Sequence, residues 1–241
     1  MQVATIIRKK QIVCSVCGAE NSGLSLICDS CKSFLQSKVD TLDFFSTLRA
    51  LIEAPQSTFR QIARATHKNY VLLLGSLFGV AWIFALFWLT GVTDRTSELL
   101  FFLLLRGAVV GPFLGVAGIL LMSTLALVVG RSLGGGATFR NTFAVLSYST
   151  APIVMSLCFA FPVKIAVFGR DFFGMNPPPM VVHPSIYKLL IGFDILTLLW
   201  SILLLIEGIS VSNEISRVRG FVIVLAVLVG FAGLSLLVLS A

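Results

Sequence analysis

The chain has 241 residues, of which 57% are hydrophobic and only 12% charged. A soluble domain carries about 25% charged residues, so a large soluble core is excluded and a multi-span membrane protein is indicated. The net charge of +7 then reads as cations flanking membrane spans and fixing their orientation, with no nucleic-acid partner expected.

Before residue 70 there is no long apolar run. Arg8, Lys9 and Lys10 lead into cysteines instead of an apolar stretch, so no cleavable signal peptide is expected and targeting falls to the first span. Residues 12–35 read IVCSVCGAENSGLSLICDSCKSFL. Cys14 with Cys17 and Cys28 with Cys31 form two C-x-x-C knuckles separated by ten residues. Each knuckle offers two thiolates to one ion, which points to a tetrahedral four-cysteine zinc site. The alternative is two disulfides, disfavoured if the segment lies in a reducing compartment. Gly18 suits the tight turn after the first knuckle. Lys32 and Ser33 follow the second, where a glycine would be expected. Leu24, Leu26 and Ile27 are the few apolar residues of so small a fold, so zinc would supply most of its folding energy. Four thiolates leave no open coordination position, so the ion is structural and not catalytic.

Residues 36–69 form an amphipathic juxtamembrane linker. Asp40 or Thr41 caps a helix reaching Glu53, with Leu42, Phe45, Leu48 and Ile52 on one stripe. Pro55 breaks it, and a second helix covers Ser57–Ala65 with Phe59 and Ile62 on one side. Such a basic pair suits either the membrane interface or the protein's own cytosolic face.

Five spans follow, at about 71–92, 107–129, 142–161, 186–206 and 221–239. Each is about long enough to cross a ~30 Å hydrocarbon layer, and each must be helical to satisfy its backbone in lipid. The expected fold is therefore all-α, a five-span bundle over residues 70–241 with the small zinc ribbon ahead of it. The second and third spans read as the hairpin around which the chain is organised. Gly107, Gly111 and Gly115 lie four apart, a face that admits another backbone closely, and Gly75 and Gly79 repeat that spacing in the first span. A glycine turn, Gly134, Gly135 and Gly136, is read as flexible and leaves Arg131 and Arg140 for anionic headgroups. Pro152 kinks the third span, with Tyr148 and Ser149 placed to satisfy freed carbonyls. Cys158 reads as a small core residue. Residues 164–185 read as a proline-rich loop, either a lid or a stiff connector, and 207–220 as a polar mobile segment.

Arg106 and Asp194 are the charges that stand within apolar runs. They are read as an intramembrane pair between the second and fourth spans, fixing helix packing or lining a transport path. Seven cations (Arg60, Arg64, Lys68, Arg131, Arg140, Arg217, Arg219) flank the N-terminal side, against four (Arg95, Lys164, Arg170, Lys188) on the other. The positive-inside rule then puts the N-terminus in the cytosol and the C-terminus outside. No metalloprotease, serine-hydrolase or phosphate-loop motif is present, so no enzyme is expected.

Two stretches carry a family resemblance. GGGATFRNTFAVLSYSTAPIV (134–154) and LWSILLLIEGISVSNEIS (199–216), with the Pro55–Phe59 lead-in, resemble the Yip family, the Ypt/Rab-GTPase-interacting membrane proteins. The first has the family's glycine turn, T-F-R, then a tyrosine and a proline. The second has its tryptophan-led fourth span. The resemblance implies a five-span membrane protein over most of residues 50–240. A ribbon ahead of the domain looks like the bacterial and archaeal branch, hence the bacterial inner membrane. Eukaryotic relatives bind prenylated small GTPases and shape vesicle membranes. The expected role is an adaptor whose ribbon meets a cytosolic protein partner, with lipid around the bundle and a homo-oligomer as a further possibility. The competing role is a small transporter or channel using Arg106 and Asp194.

Overall fold

The computed structural model describes residues 11–14, 16–22, 27–33, 42–65 and 67–240. Leu24, Leu26, Asp40 and Thr41 lie outside these. The chain divides into two compact units, one up to Thr41 and one from Leu42 onward.

In the first unit, strands β1 (Gln11–Val13) and β2 (Glu20–Ser22) pair antiparallel, with Gln11 opposite Ser22 and Val13 opposite Glu20. The first knuckle is the turn between them. Cys14 N–H bonds Ala19 O, and Gly18 N–H returns to Cys14 O, both at 2.9 Å. The second knuckle repeats this pattern: Cys28 N–H bonds Ser33 O at 2.8 Å, and Lys32 N–H returns to Cys28 O at 3.0 Å. Gly18 has φ +72° and Lys32 φ +58°. The second turn therefore keeps the left-handed geometry without glycine, at a steric cost of about 1–2 kcal/mol.

The second unit is helical. Helix α1 (Phe44–Glu53) is capped by Asp43, whose carboxylate accepts from Ser46 N–H at 3.0 Å. Helix α2 (Pro55–Arg64) has Pro55 in its first turn, where a missing N–H costs nothing. Leu51, Phe59 and Ile62 are fully buried in one core with Val145, Tyr148 and Ile209. Of the two settings open to the amphipathic pair, the protein's own face is thus the one it packs on. Phe45 and Ile52 stay exposed.

Helix α3 (Val71–Thr90) ends at Gly91 in the left-handed region, and a one-turn helix α4 (Val92–Arg95) follows. Helix α5 (Leu100–Ser132) extends the 107–129 span through the apolar residues ahead of it and carries Pro112 within it. The third span is two helices, α6 (Phe139–Ser149) and α7 (Ala151–Phe168), broken at Thr150 with Pro152 in the first turn of α7. A 3₁₀ turn (Gly169–Phe173) and a short α8 (Pro179–Val182) lead to α9 (Pro184–Asn213) and α10 (Arg217–Ser240). Among the described residues, five helical stretches are long and apolar enough to cross a membrane: Val71–Thr90, Leu100–Ser132, Phe139–Phe173, Pro184–Asn213 and Arg217–Leu239.

Several expectations change. The third span does not stop at Pro162, because apolar residues continue past it to the buried Phe168 and one lost backbone bond is tolerable inside a bundle. The segment 207–220 is mostly helix. Ser210 Oγ donates to Ile206 O at 2.7 Å and Asn213 Nδ2 to Ile209 O at 3.0 Å, while Arg217 bonds Glu207 through two nitrogens. Cys158 is exposed on α7, not buried in the core.

The hairpin of the second and third spans is also not the tightest packing in the bundle. The glycine face of α5 is occupied by α3. A Cβ on Gly111 would lie 2.6 Å from Val80 Cα, and one on Gly107 would lie 2.3 Å from the Phe84 ring. At the α7–α9 end of the molecule, Phe168, Phe172 and Phe173 form a second core with Phe84 and Leu103. Arg170 donates to the carbonyls of Thr93 and Thr96 there. The proline-rich segment is therefore folded onto the bundle.

Candidate metal centre and intramembrane ion pair

The paired knuckles bring Cys14, Cys17, Cys28 and Cys31 together with all four sulfurs within 4.8 Å of one another. Cys14 Sγ is 3.6 Å from Cys31 Sγ, and Cys17 Sγ is 3.6 Å from Cys28 Sγ. The set can hold a metal ion. Two residues outside the cysteines complete it. Ser33 Oγ lies 3.2 Å from Cys14 Sγ and 2.9 Å from Cys31 Sγ. Asn21, buried, donates to Ala19 O at 2.8 Å and to Cys28 Sγ at 3.6 Å, and its Oδ1 accepts from Asp29 N–H at 3.0 Å. Asn21 thus ties one knuckle to the other. Such outer contacts orient thiolates and favour their charged form. The Ser33 hydroxyl and the N–H groups of Cys17 and Val16 bring Cys14 down to about 6. The Cys31 N–H likewise lowers Cys28. Cys17 is drawn down by the Ala19 N–H, but its Cys31, Cys28 and Cys14 neighbours and burial push it up to about 12.

In the bundle, Asp194 is paired with Lys164 and not with Arg106. Ser156 Oγ donates to the other carboxylate oxygen at 2.6 Å. Arg106 lies exposed on α5. The sequence reading missed this because it ended the third span at Pro162 and so placed Lys164 in a loop. Helix α7 instead carries Lys164 one turn further, alongside α9. The Lys164 side chain is 6% exposed and that of Asp194 33%. Lys164 Nζ also sits 5.6 Å from the centre of the Phe172 ring, a cation–π distance.

The glycine turn packs through Gly135 against the end of α9. Asn213, at the end of α9, is buried, and a Cβ on Gly135 would lie 2.3 Å from its Oδ1. The same oxygen accepts from Ala137 N–H at 3.4 Å. Gly134 has φ +83°, whereas a Cβ on Gly136 would meet nothing within 4 Å. Arg140 lies near Lys68, whose ammonium is disfavoured first by burial and then by that guanidinium. Lys68 in turn donates to the carbonyls of Ile62 and Ala63 at the end of α2.

The residues that carried the family resemblance meet one another. Pro55 starts α2, and a Cβ on Gly208 would press on Val145 at 2.6 Å and on the Phe59 ring at 2.9 Å. Tyr148 does not serve carbonyls freed by Pro152; its hydroxyl donates to Asn69 O at 2.6 Å, just before α3. The sequence model of the Yip1 domain matches residues 49–239. The chain belongs to the Yip1 domain family. No curated protein and no solved structure matches it. The Yip1 match begins inside α1, consistent with α1 and α2 being part of the bundle's core. With five apolar helices, this Yip1 domain protein is a multi-pass membrane protein.

Proposed function

We propose that this Yip1 domain protein is a non-enzymatic membrane adaptor that presents a zinc-held hairpin to a cytosolic protein partner. Sulfurs at ~2.3 Å from one tetrahedral zinc stand about 3.8 Å apart, and the observed 3.6 Å pairs fit that with little movement. Four thiolates saturate the ion, so the module's surface and not its metal does the work. The observation that carries the reading is which side chains the module turns outward. Val13 is 61% and Val16 72% exposed, and Ile27 is exposed beside them in sequence to the knuckles. A fold with so little apolar content leaves these uncovered, as an interaction surface requires.

Moving Lys164 from the loop into α7 leaves Arg95, Arg170 and Lys188 as the cations opposite the N-terminal side. The bias toward a cytosolic N-terminus grows accordingly, and the bacterial inner membrane is the setting proposed for it from the ribbon's resemblance to the bacterial branch. The test is affinity capture from native membranes with three forms: wild type, Cys14→Ser/Cys17→Ser, and Val16→Asp. A partner held by wild type and lost with both variants supports the adaptor. A partner set unchanged in Val16→Asp, whose metal site is intact, overturns the assigned surface.

A further inference from the structure

The bundle contains a cavity that neither the metal hairpin nor the helix packing explains. It measures about 400 Å³ and lies between α3, α7, α9 and α10. Asp194 is about ten residues into α9, so roughly 15 Å from that helix's start, within the membrane-crossing stretch. The walls are apolar and aromatic. Phe84 and Phe161 stack at 4.4 Å near the charged end, Trp88 and Phe172 flank them, and Phe78 and Phe231 line the deeper part. A second cavity of about 120 Å³ shares Phe78, Ile153, Leu198 and Phe231 with the first. It is lined by Ser201, which is 7% exposed and whose Oγ is the one buried side-chain oxygen or nitrogen without a partner among the described residues.

The two halves of the ion pair both line the cavity but are not equally presented. The Lys164 side chain is 6% exposed, with its ammonium on Asp194 and 5.6 Å from the centre of the Phe172 ring, whereas a third of the Asp194 side chain remains open. Two of its lone-pair positions are taken, by Ser156 and Lys164, and an ionised carboxylate has about four. The carboxylate borders a cavity whose walls are otherwise largely apolar and aromatic, where a further cationic partner would be favoured. A carboxylate at the mouth of an aromatic-walled cavity is the arrangement that recognises ammonium groups, through charge and through ring faces. We infer that this cavity binds a lipophilic organic cation, an amine or quaternary onium with an apolar body, whose charge lies against Asp194. An anionic amphiphile fits less well, because the cation that lines the cavity, Lys164, is 6% exposed and already paired with Asp194. The inference is independent of the adaptor role.

Trp82 and Trp88 line the cavity, so binding is read from their fluorescence. Purified protein in nanodiscs is titrated with tetraphenylphosphonium and with tetraphenylborate, which share shape and differ in charge, and empty nanodiscs correct for partitioning. Saturable quenching by the phosphonium alone is expected. It weakens at least about tenfold, the worth of one charge-assisted contact, in Asp194→Asn/Lys164→Met, which removes both charges together. Ala85→Leu, which narrows the cavity and leaves the pair intact, reads out the same loss if the double variant does not fold. Equal response to the borate, no saturable response to the phosphonium, or unchanged binding in a folded variant overturns the assignment.

Discussion

Gly79 and Gly115 meet backbone to backbone: a Cβ on Gly79 would stand 2.5 Å from Gly115 Cα, and one on Gly115 would stand 2.4 Å from Gly79 Cα. Neither contact leaves room for a methyl group, and both neighbours are main chain, which cannot rotate away. In lipid there is little hydrophobic force between helices, so this close approach is what holds α3 to α5.

Gly79→Ala and Gly115→Ala are therefore expected to lower stability by about 1–3 kcal/mol each, the usual cost of overpacking a tight interface. Gly233→Ala, where a Cβ meets nothing within 4 Å, is the matched control and should be neutral. Thermal melting in nanodiscs measures all three.

Both glycine faces of this interface were visible in the sequence, as repeats four apart in two apolar runs. Which runs would join was not, because spacing identifies a face and says nothing of its partner. The same limit applied to charge. Asp194 was recognisable as an intramembrane acid, but its partner depended on whether α7 survives Pro162, a matter decided by packing around Lys164 and Phe168. The clustering of the four cysteines was fully legible, since C-x-x-C spacing encodes its own geometry. Asn21 and Ser33 were not, because nothing local distinguishes an ordinary polar residue from one folded against a sulfur.

Breaking the Lys164–Asp194 pair from one side leaves a buried charge alone. Asp194→Asn or Lys164→Met should each cost about 2–4 kcal/mol, less than a fully enclosed pair because Asp194 is partly open. The double variant should recover most of that loss, and Arg106→Gln should be near neutral. Melting of the four proteins decides it; an Arg106 effect as large as that of Lys164 would mean the wrong cation has been paired.

Asn213 connects the end of α9 to the turn that follows α5. Its Oδ1 accepts from Ala137 N–H, and its Nδ2 donates within its own helix. Asn213→Ala strands the buried Ala137 N–H and opens a gap against Gly135, at an expected cost of about 1–3 kcal/mol. Gly135→Ala should be as damaging, because its Cβ would lie 2.3 Å from the Asn213 oxygen. Combining the two substitutions should cost clearly less than their sum, since the smaller side chain at 213 makes the room that the alanine needs. Additive losses would show that the turn and α9 are independent.

Lys32 holds a left-handed turn that glycine adopts freely, the position Gly18 fills in the first knuckle. Lys32→Gly should thus stabilise the metal-loaded hairpin by about 1 kcal/mol, or roughly fivefold slower metal loss to a chelator. Cys28→Ser in the same hairpin should abolish loading. Because residues up to Thr41 form a unit separate from the bundle, neither substitution should move the melting of the helical part. Metal content after timed exposure to chelator, followed alongside the helical melting transition, tests both statements. A bundle that melts earlier when metal is stripped would show that the two units stabilise one another.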